Sequence, residues 1–326
     1  MLKFQTKSTY TLRTLITALL FTPLFSLAAE NYAVSVTAIV DHPALNSIRD
    51  GVKDQLKEEG FEEGKNLTWE YQSAQGNTGT AAQIARKFVG DNPNVIVPIA
   101  TPSAQATAAV TKDIPIVFSG ITDPVAAQLV PALGASGTNI TGVTDELDTE
   151  KQIQLIKRIA PSAKTVGIVY NPSEANSAIV VEKMRKLLPN HGLSLVEAAA
   201  PKTVDVGPAA QSLVGKADVI YTSTDNNVVS AYESLVKVGN EADIPLVAAD
   251  ADSVTRGAIA AYGINYYEHG KQSGKLVAKI LRGEKPGELP IEKADKLELI
   301  LNKKAALEQS VTLSEELISE AVKILE

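Results

Sequence analysis

The stretch Asn94–Val110, NVIVPIATPSAQATAAV, decides the fold. Val95–Ile99 is an apolar run of the length of one buried strand. Thr101, Pro102 and Ser103 follow, and Ala104, Ala106, Ala108, Ala109 and Val110 predict a helix. Proline is accepted at a first helical position, where its missing N–H would have no intrahelical partner. A strand, a sharp turn and a helix leave free backbone N–H groups at the strand's carboxyl end, beside two hydroxyls. That is an anion site. A simple helix cap by Thr101 would account for the same residues.

The chain repeats the pattern. Asp218–Ala231, DVIYTSTDNNVVSA, aligns without a gap, so that Thr101 faces Asp225 and Ser103 faces Asn227. Asp113-Ile-Pro-Ile-Val is matched by Asp243-Ile-Pro-Leu-Val, and each is followed by a small polar loop, 119–123 and 249–252. Internal duplication of strand–helix units predicts two α/β lobes of one pattern. Ligands of open parallel sheets sit outside the carboxyl ends of the strands. Two facing lobes would therefore place two sets of loops around one cleft.

Residues 1–28 read as a secretory signal. Lys3, Lys7 and Arg13 form its positive end, and Ser26-Leu27-Ala28 suits small-residue cleavage after Ala28. The uncharged core from Thr14 to Ala29 is short for a membrane span. Removing it leaves 28 basic against 38 acidic side chains, a formal charge of −10, which argues against a nucleic-acid surface. The chain has no cysteine, which excludes disulfides, thiolate metal sites and a lipid-anchored cysteine. No cofactor is expected: no glycine fingerprint for a dinucleotide, Walker loop or nucleophile elbow occurs.

Alternating strands and helices run from Tyr32 to Leu325 and predict doubly wound parallel sheets. Leu313–Leu325 reads as a closing helix, and Val228–Ala242 as one helix. The predicted division is 29–143 with about 263–290 for lobe 1, and 144–262 with about 291–326 for lobe 2, crossing near Asn139–Glu146 and near Ala261–Tyr266.

Three histidines occur, and none is spaced as a metal ligand beside another. His191 lies in a turn and His269 at a helix start. His42 follows the first strand at the cleft end, where it serves either as packing or as a ligand contact. Acidic candidates are Asp123, Glu174, Asp225, Asp250 and Asp252, each also explicable as a cap or turn former. Asp250 directly follows Leu246–Ala249 and should lie deepest, with Asp252 as the cap. A buried carboxylate wants a cation, and Arg256 alone stands near in sequence; a ligand ammonium would serve. An ammonium opposite Asp250 and a carboxylate opposite hydroxyls and helix N–H groups describe an α-amino acid.

Taken together, residues 41–45 (DHPAL), 100–106 (ATPSAQA), 117–124 (VFSGITDP), 140–143 (ITGV), 170–176 (YNPSEAN) and 223–226 (STDN) resemble ABC-transporter substrate-binding proteins of the tryptophan/tyrosine type. That type is related to the leucine-binding kind of periplasmic protein. The resemblance spans about Tyr32 to about Leu301. It implies the type I periplasmic-binding-protein fold: two Rossmann-like lobes closing on one small ligand, with no catalysis. It further implies an L-aromatic amino acid as ligand, a branched-chain amino acid or another small polar solute being the alternative. An ABC permease and its ATPase at the inner membrane are the expected partners of a monomeric protein free in the periplasm. On this reading the ligand meets His42, Thr101, Ser103, Phe118, Ser119, Gly120, Asp123, Asn171, Glu174, Asn176, Asp225, Asn226 and Asp250, with Tyr221 and Tyr262 as further aromatic candidates. Two rivals are a sugar- or nucleoside-binding regulator, which would need a DNA-binding helix pair where the signal stands, and an enzyme, which would need a paired acid and base.

Amino-terminal sequencing of exported protein should begin at Ala29; a first residue of Met1 would overturn the signal assignment.

Overall fold

The computed structural model describes residues 1–5 and 31–326. The expected signal and its cleavage site therefore fall almost wholly outside the described residues. Asn31–Glu326 forms one compact unit containing two sheets.

The first sheet takes β1 (Tyr32–Ala38), β2 (Leu67–Ser73), β3 (Val95–Ile99), β4 (Ile116–Ile121) and β5 (Ile140–Thr144). Helices α1 (Pro43–Glu58), α2 (Thr78–Asp91) and α3 (Thr101–Ala108) connect the first four. After α4 (Thr149–Ile159) the second sheet takes β6 (Thr165–Tyr170), β7 (Ser194–Ala199), β8 (Val219–Thr222), β9 (Leu246–Asp250) and β10 (Ala260–Ile264). Its connections are α5 (Ala175–Leu187), α6 (Val206–Gln211), α7 (Asn226–Ser230), α8 (Tyr232–Glu241) and α9 (Ala251–Thr255). The tail adds α10 (Tyr266–Leu281), β11 (Glu292–Lys293), β12 (Leu297–Asn302), α11 (Lys303–Glu308), α12 (Glu315–Glu320) and β13 (Lys323–Leu325).

Strand order reveals the duplication. The sheets run β11-β5-β4-β3-β1-β2 and β13-β12-β10-β9-β8-β6-β7, so the five shared strands follow one plan. All neighbours are parallel except β10 with β12. In each sheet the order reverses beside the first strand, and the crevice outside that point is where such folds bind ligands. Register brings the strand ends level: Ala38 stands opposite Ile99, and Ile99 opposite Ser119. The loops that begin at His42, Thr101 and Gly120 thus lie side by side.

Two expectations about elements change. Leu313–Leu325 is a short helix followed by an edge strand, because β13 pairs along β12 and satisfies its backbone there. Val228–Ala242 is two helices, broken at Ala231, whose φ of −110° and ψ of 30° leave the helical range. The chain also crosses three times between the sheets. It passes from β5 to α4, from β10 into α10, which packs on α1 in the first lobe, and from β11 back to β12 at residues 294–296. Pairing of β11 with β5 keeps residues 292–293 in the first sheet, slightly past the expected return near 291.

Each sheet carries apolar clusters on both faces. Helices α1 and α10 pack closely, because glycines meet at their contact: a Cβ placed on Gly270 would stand 2.2 Å from the Ile48 carbonyl oxygen, and one on Gly51 2.2 Å from that of Tyr267. In an open helix, Gly→Ala stabilises by about 1 kcal/mol. Here overpacking, of order 1–3 kcal/mol, opposes and exceeds that gain. Gly270→Ala should therefore lower the urea midpoint, whereas an unchanged or raised midpoint would show that the helices separate freely.

Candidate functional site

One cleft collects the carboxyl ends of both sheets. A tight space of about 20 Å³ lies between His42 and Leu45 after β1, Thr101 after β3, Gly120 and Thr122 at β4, and Asp145 after β5. From the second lobe come Asn176, Thr224, Asn226, Val229 and Asp250, and Tyr266 begins α10. Of the expected ligand residues, His42, Thr101, Gly120, Asn176, Asn226 and Asp250 line this space.

The turn before α3 is unusual. Ala100 holds φ 72° and ψ 153°, a region that residues with a Cβ rarely occupy, and it makes no side-chain cap. Its N–H donates to the Ser119 carbonyl at 3.0 Å, which helps hold the strained residue. The first N–H groups of α3 thus lack a side-chain acceptor, and both Thr101 Oγ1 and Ser103 Oγ are buried without a partner. Thr101 is therefore not the cap: Ala100 occupies that position. Ser103 sits one helical step behind the cleft wall and does not line it.

Two carboxylates face the cleft. Asp250 is 1% exposed and caps α9, accepting from Ser253 N at 2.8 Å and Ser253 Oγ at 2.6 Å. The expected assignment of the cap to Asp252 is thus shifted by one turn position. Asp252 is half-buried, and burial, with Asp250 nearby, pushes its carboxyl up to about 6. Asp145, which sequence reading passed over as hinge, accepts from Tyr266 Oη at 2.8 Å and Thr122 Oγ1 at 3.1 Å. Burial raises both carboxyls above their ordinary range, and Arg256 only partly offsets this at Asp250. Among the described residues neither forms an ion pair; Arg256 is itself paired with Glu233 at 2.7 Å. Asp145 carries the signal that singled out Asp250, an acid directly beyond an apolar strand, and could have been found by it.

Behind the second lobe's wall lies a network. Glu174 Oε2 accepts from Asn226 Nδ2 at 2.7 Å and from Asn176 Nδ2 at 3.2 Å. Its Oε1 faces Asn171 Nδ2 at 3.4 Å. Both amides therefore turn their oxygens away from Glu174, and Asn176 Oδ1 is buried and unpartnered. His42 faces Asn226 across the cleft, while its Nδ1 accepts from Leu45 N at 3.4 Å and caps α1. Burial, helped by Arg256, holds this imidazole neutral, down at about 3.

The remaining expected contacts stand elsewhere. Phe118 is fully buried in an apolar cluster with Ala104, Ile116 and Ile140. Ser119 Oγ bonds Ser273 Oγ at 2.7 Å, and Gly120 N donates to His269 Nε2 at 3.0 Å, so these groups tie β4 to α10. Asp123 closes a turn through Val125 N and Ala126 N. Asp225 caps α7 and accepts from Asn171 N and Ser177 Oγ, both at 2.6 Å. Asn171 and Glu174 support the wall without lining the cleft. Tyr262 lies outside, with Lys151 5.7 Å from its ring centroid.

Comparison places the molecule. The family model for ABC transporter substrate binding proteins matches residues 33–325. The chain belongs to that family. A tyrosine-binding protein of Clostridioides difficile is 39% identical over 82% of this chain and 78% of its own length. A Streptococcus pneumoniae ABC domain in complex with L-Trp shares 31% identity over 91% of this chain and all of that one, with a TM-score of 0.87. A ligand-free, open substrate-binding protein with adhesive properties from Clostridium difficile shares 37% identity, covering 90% of this chain and 99% of that one, with a TM-score of 0.69. The lobes of this chain match the L-Trp complex better than the open form, although the open form is closer in sequence.

Burial and the neighbouring Asp225 push Glu174 up to about 7. Between its unfolded value and 7, the folded chain holds a proton that the unfolded chain has released. This contribution is complete below the unfolded value and is lost as pH rises through 7. Denaturation of ligand-free protein should accordingly find Glu174→Gln gaining stability relative to the parent between pH 5 and pH 8. A pH-independent difference would mean that Glu174 is not the group buried with a raised value.

Proposed function

We propose that this protein is the solute-binding component of an ABC importer and captures an L-aromatic amino acid between its lobes. The carrying observation is the polarity of the cleft: Asp145 and Asp250 with only neutral hydrogen-bond partners, near the uncapped start of α3 with its unpartnered Thr101 hydroxyl. The ligand's ammonium answers the carboxylates, and its carboxylate answers Thr101 and the α3 N–H groups. The relatives support an aromatic side chain, one by its description as tyrosine-binding and one by its bound L-Trp. Branched aliphatic amino acids are disfavoured on the same ground. No reaction is involved, and ligand should be recovered unchanged.

Export through the 1–28 signal would deliver the protein to the periplasm, where a permease and its ATPase receive the ligand. Rigid lobes turning on the three crossing segments supply the opening. Lobe placement like that of the L-Trp complex, and the His42–Asn226 contact across the cleft, support reading this arrangement as closed.

Native mass spectrometry of protein purified from cells should reveal a retained amino acid. Calorimetry should rank phenylalanine, tyrosine or tryptophan above leucine and sugars; leucine or a sugar binding tightest would overturn the assignment. Because Asp250 also caps α9, Asp250→Asn is the informative variant: it keeps a capping side chain and removes the charge. Losing one member of a buried charged pair costs roughly 2–5 kcal/mol, and each 1.4 kcal/mol is about tenfold. Asp250→Asn should weaken binding about thirtyfold or more, Thr101→Ala about tenfold, and Asp252→Asn little. Unchanged affinity in Asp250→Asn would remove it from the ligand.

A further inference from the structure

A groove of about 400 Å³ opens on the second lobe and shares no lining residue with the ligand cleft. Its floor follows from strand register. Tyr262 on β10 stands opposite Leu299 on β12, and Ile264 opposite Leu297. Opposed residues, and residues two apart on one strand, share a sheet face, so Tyr262, Leu297 and Leu299 lie on one side. Helix α4 packs over β9 and β10 on this side and brings Leu155 to the groove. The apolar surface continues past the helix. Leu155 and Leu299 are buried, Tyr262 and Leu297 are half-buried, and Val322 at the far wall is 68% exposed.

The charged groups of the groove are unevenly engaged. Glu320 Oε2 accepts from Arg158 Nη1 at 2.8 Å, so the acid that lines the groove already has its cation. Lys151, two turns before Arg158 on the same side of α4, has no carboxylate partner among the described residues. Its Nζ stands 5.7 Å from the centroid of the Tyr262 ring. Among those residues the Tyr262 hydroxyl also makes no hydrogen bond; only the carbonyl of Tyr262 is engaged, by Gln152. A free ammonium and a free hydroxyl beside an apolar floor are the complement of a carboxylate carried on an apolar body.

We propose that this groove is a second ligand site, which takes a small aromatic carboxylate that has no ammonium group. The ring lies on Leu297, Leu299 and Val322 beside Tyr262, and the carboxylate accepts from Lys151 Nζ and the Tyr262 hydroxyl. A flat ring suits a floor with an aromatic side chain at its edge. A ligand ammonium has no free acid to meet here, because Arg158 holds Glu320. In the cleft the reverse holds: Asp145 and Asp250 disfavour an acid that brings no cation. The second site is independent of what the cleft binds.

Titration of the full chain with indole-3-acetate, followed by nuclear magnetic resonance, tests this, with indole-3-acetamide as the uncharged control. The acid should shift the backbone amides of residues 151–158, 262 and 297–299, with a dissociation constant of about a millimolar, the scale set by a ligand of that size. The acetamide should bind at least about fivefold more weakly, because it lacks the charge that Lys151 answers. Lys151→Glu and Val322→Asp alter exposed side chains, and each should weaken the acid at least about fivefold while the rest of the spectrum stays as in the parent. Acid and acetamide binding alike, shifts confined to the cleft around residues 42, 101, 145 and 250, variants that bind the acid as the parent does, or no shift at about ten times the expected constant would each overturn the assignment.

Discussion

Buried polar groups without partners organise this molecule. A parallel strand that ends inside a protein delivers its polar groups and the next helix's free N–H groups to one place. Here two sheets of one plan deliver theirs to the same cleft. Most of these groups are answered from within: Asp225 and Asp250 by the helices that they cap, Ser119 by Ser273, Gly120 by His269. Several are left over, some of them at the cleft. Thr101 Oγ1, Asn176 Oδ1 and Ser223 Oγ are unanswered, and Asp145 and Asp250 have no cation of their own. The protein has the polarity of a cleft that is completed by a ligand.

That a duplicated α/β fold encloses one cleft was legible from Asn94–Val110 and its copy, because strand and helix periods survive in any context. The site was legible only in part. Capping a helix and holding a ligand draw on the same side chains at the same place, so local sequence could not separate Asp250 from Asp252, or a wall residue from Asp225. Asp250 in fact does the capping and still lines the cleft. Phe118 and Tyr221 both stand on buried strands, yet one is packed beneath α3 and the other borders a small space with Thr122 and Asp145. Which side of a doubly covered strand meets a cavity depends on the packing of both layers, and a continuous apolar run carries no trace of it. β13 was hidden for a similar reason: three residues pair because an edge is available, not because they favour a strand.

The crossing segments are linked to one another as well as to the ligand cleft. Asp145, on the first crossing, accepts from Tyr266, on the second. Its neighbour Glu146 is shared between Lys183 of the second lobe at 2.8 Å and Lys293, beside the third crossing, at 3.1 Å. These ion pairs are solvent-exposed, Lys293 by 66% and Glu146 and Lys183 by 30%, and such pairs contribute little to stability. Their effect is geometric: they join the three connections at one corner.

Glu174 shows how a residue outside the cleft sets its polarity. An asparagine side chain can present either a donor or an acceptor, and nothing in its own shape decides which. By accepting from Asn176 Nδ2 and Asn226 Nδ2 through one oxygen, Glu174 turns both amides the same way. Asn226 then faces, from the opposite lobe, the neutral imidazole of His42, whose Nδ1 is occupied by Leu45 N. Asn176 Oδ1 is left unpartnered beside the cleft. The second lobe's wall is thereby made acceptor-rich by one buried acid, while in the first lobe a strained, uncapped helix start supplies donors beside the acceptor Asp145. Preorganised dipoles of this kind do not have to reorganise as a ligand enters.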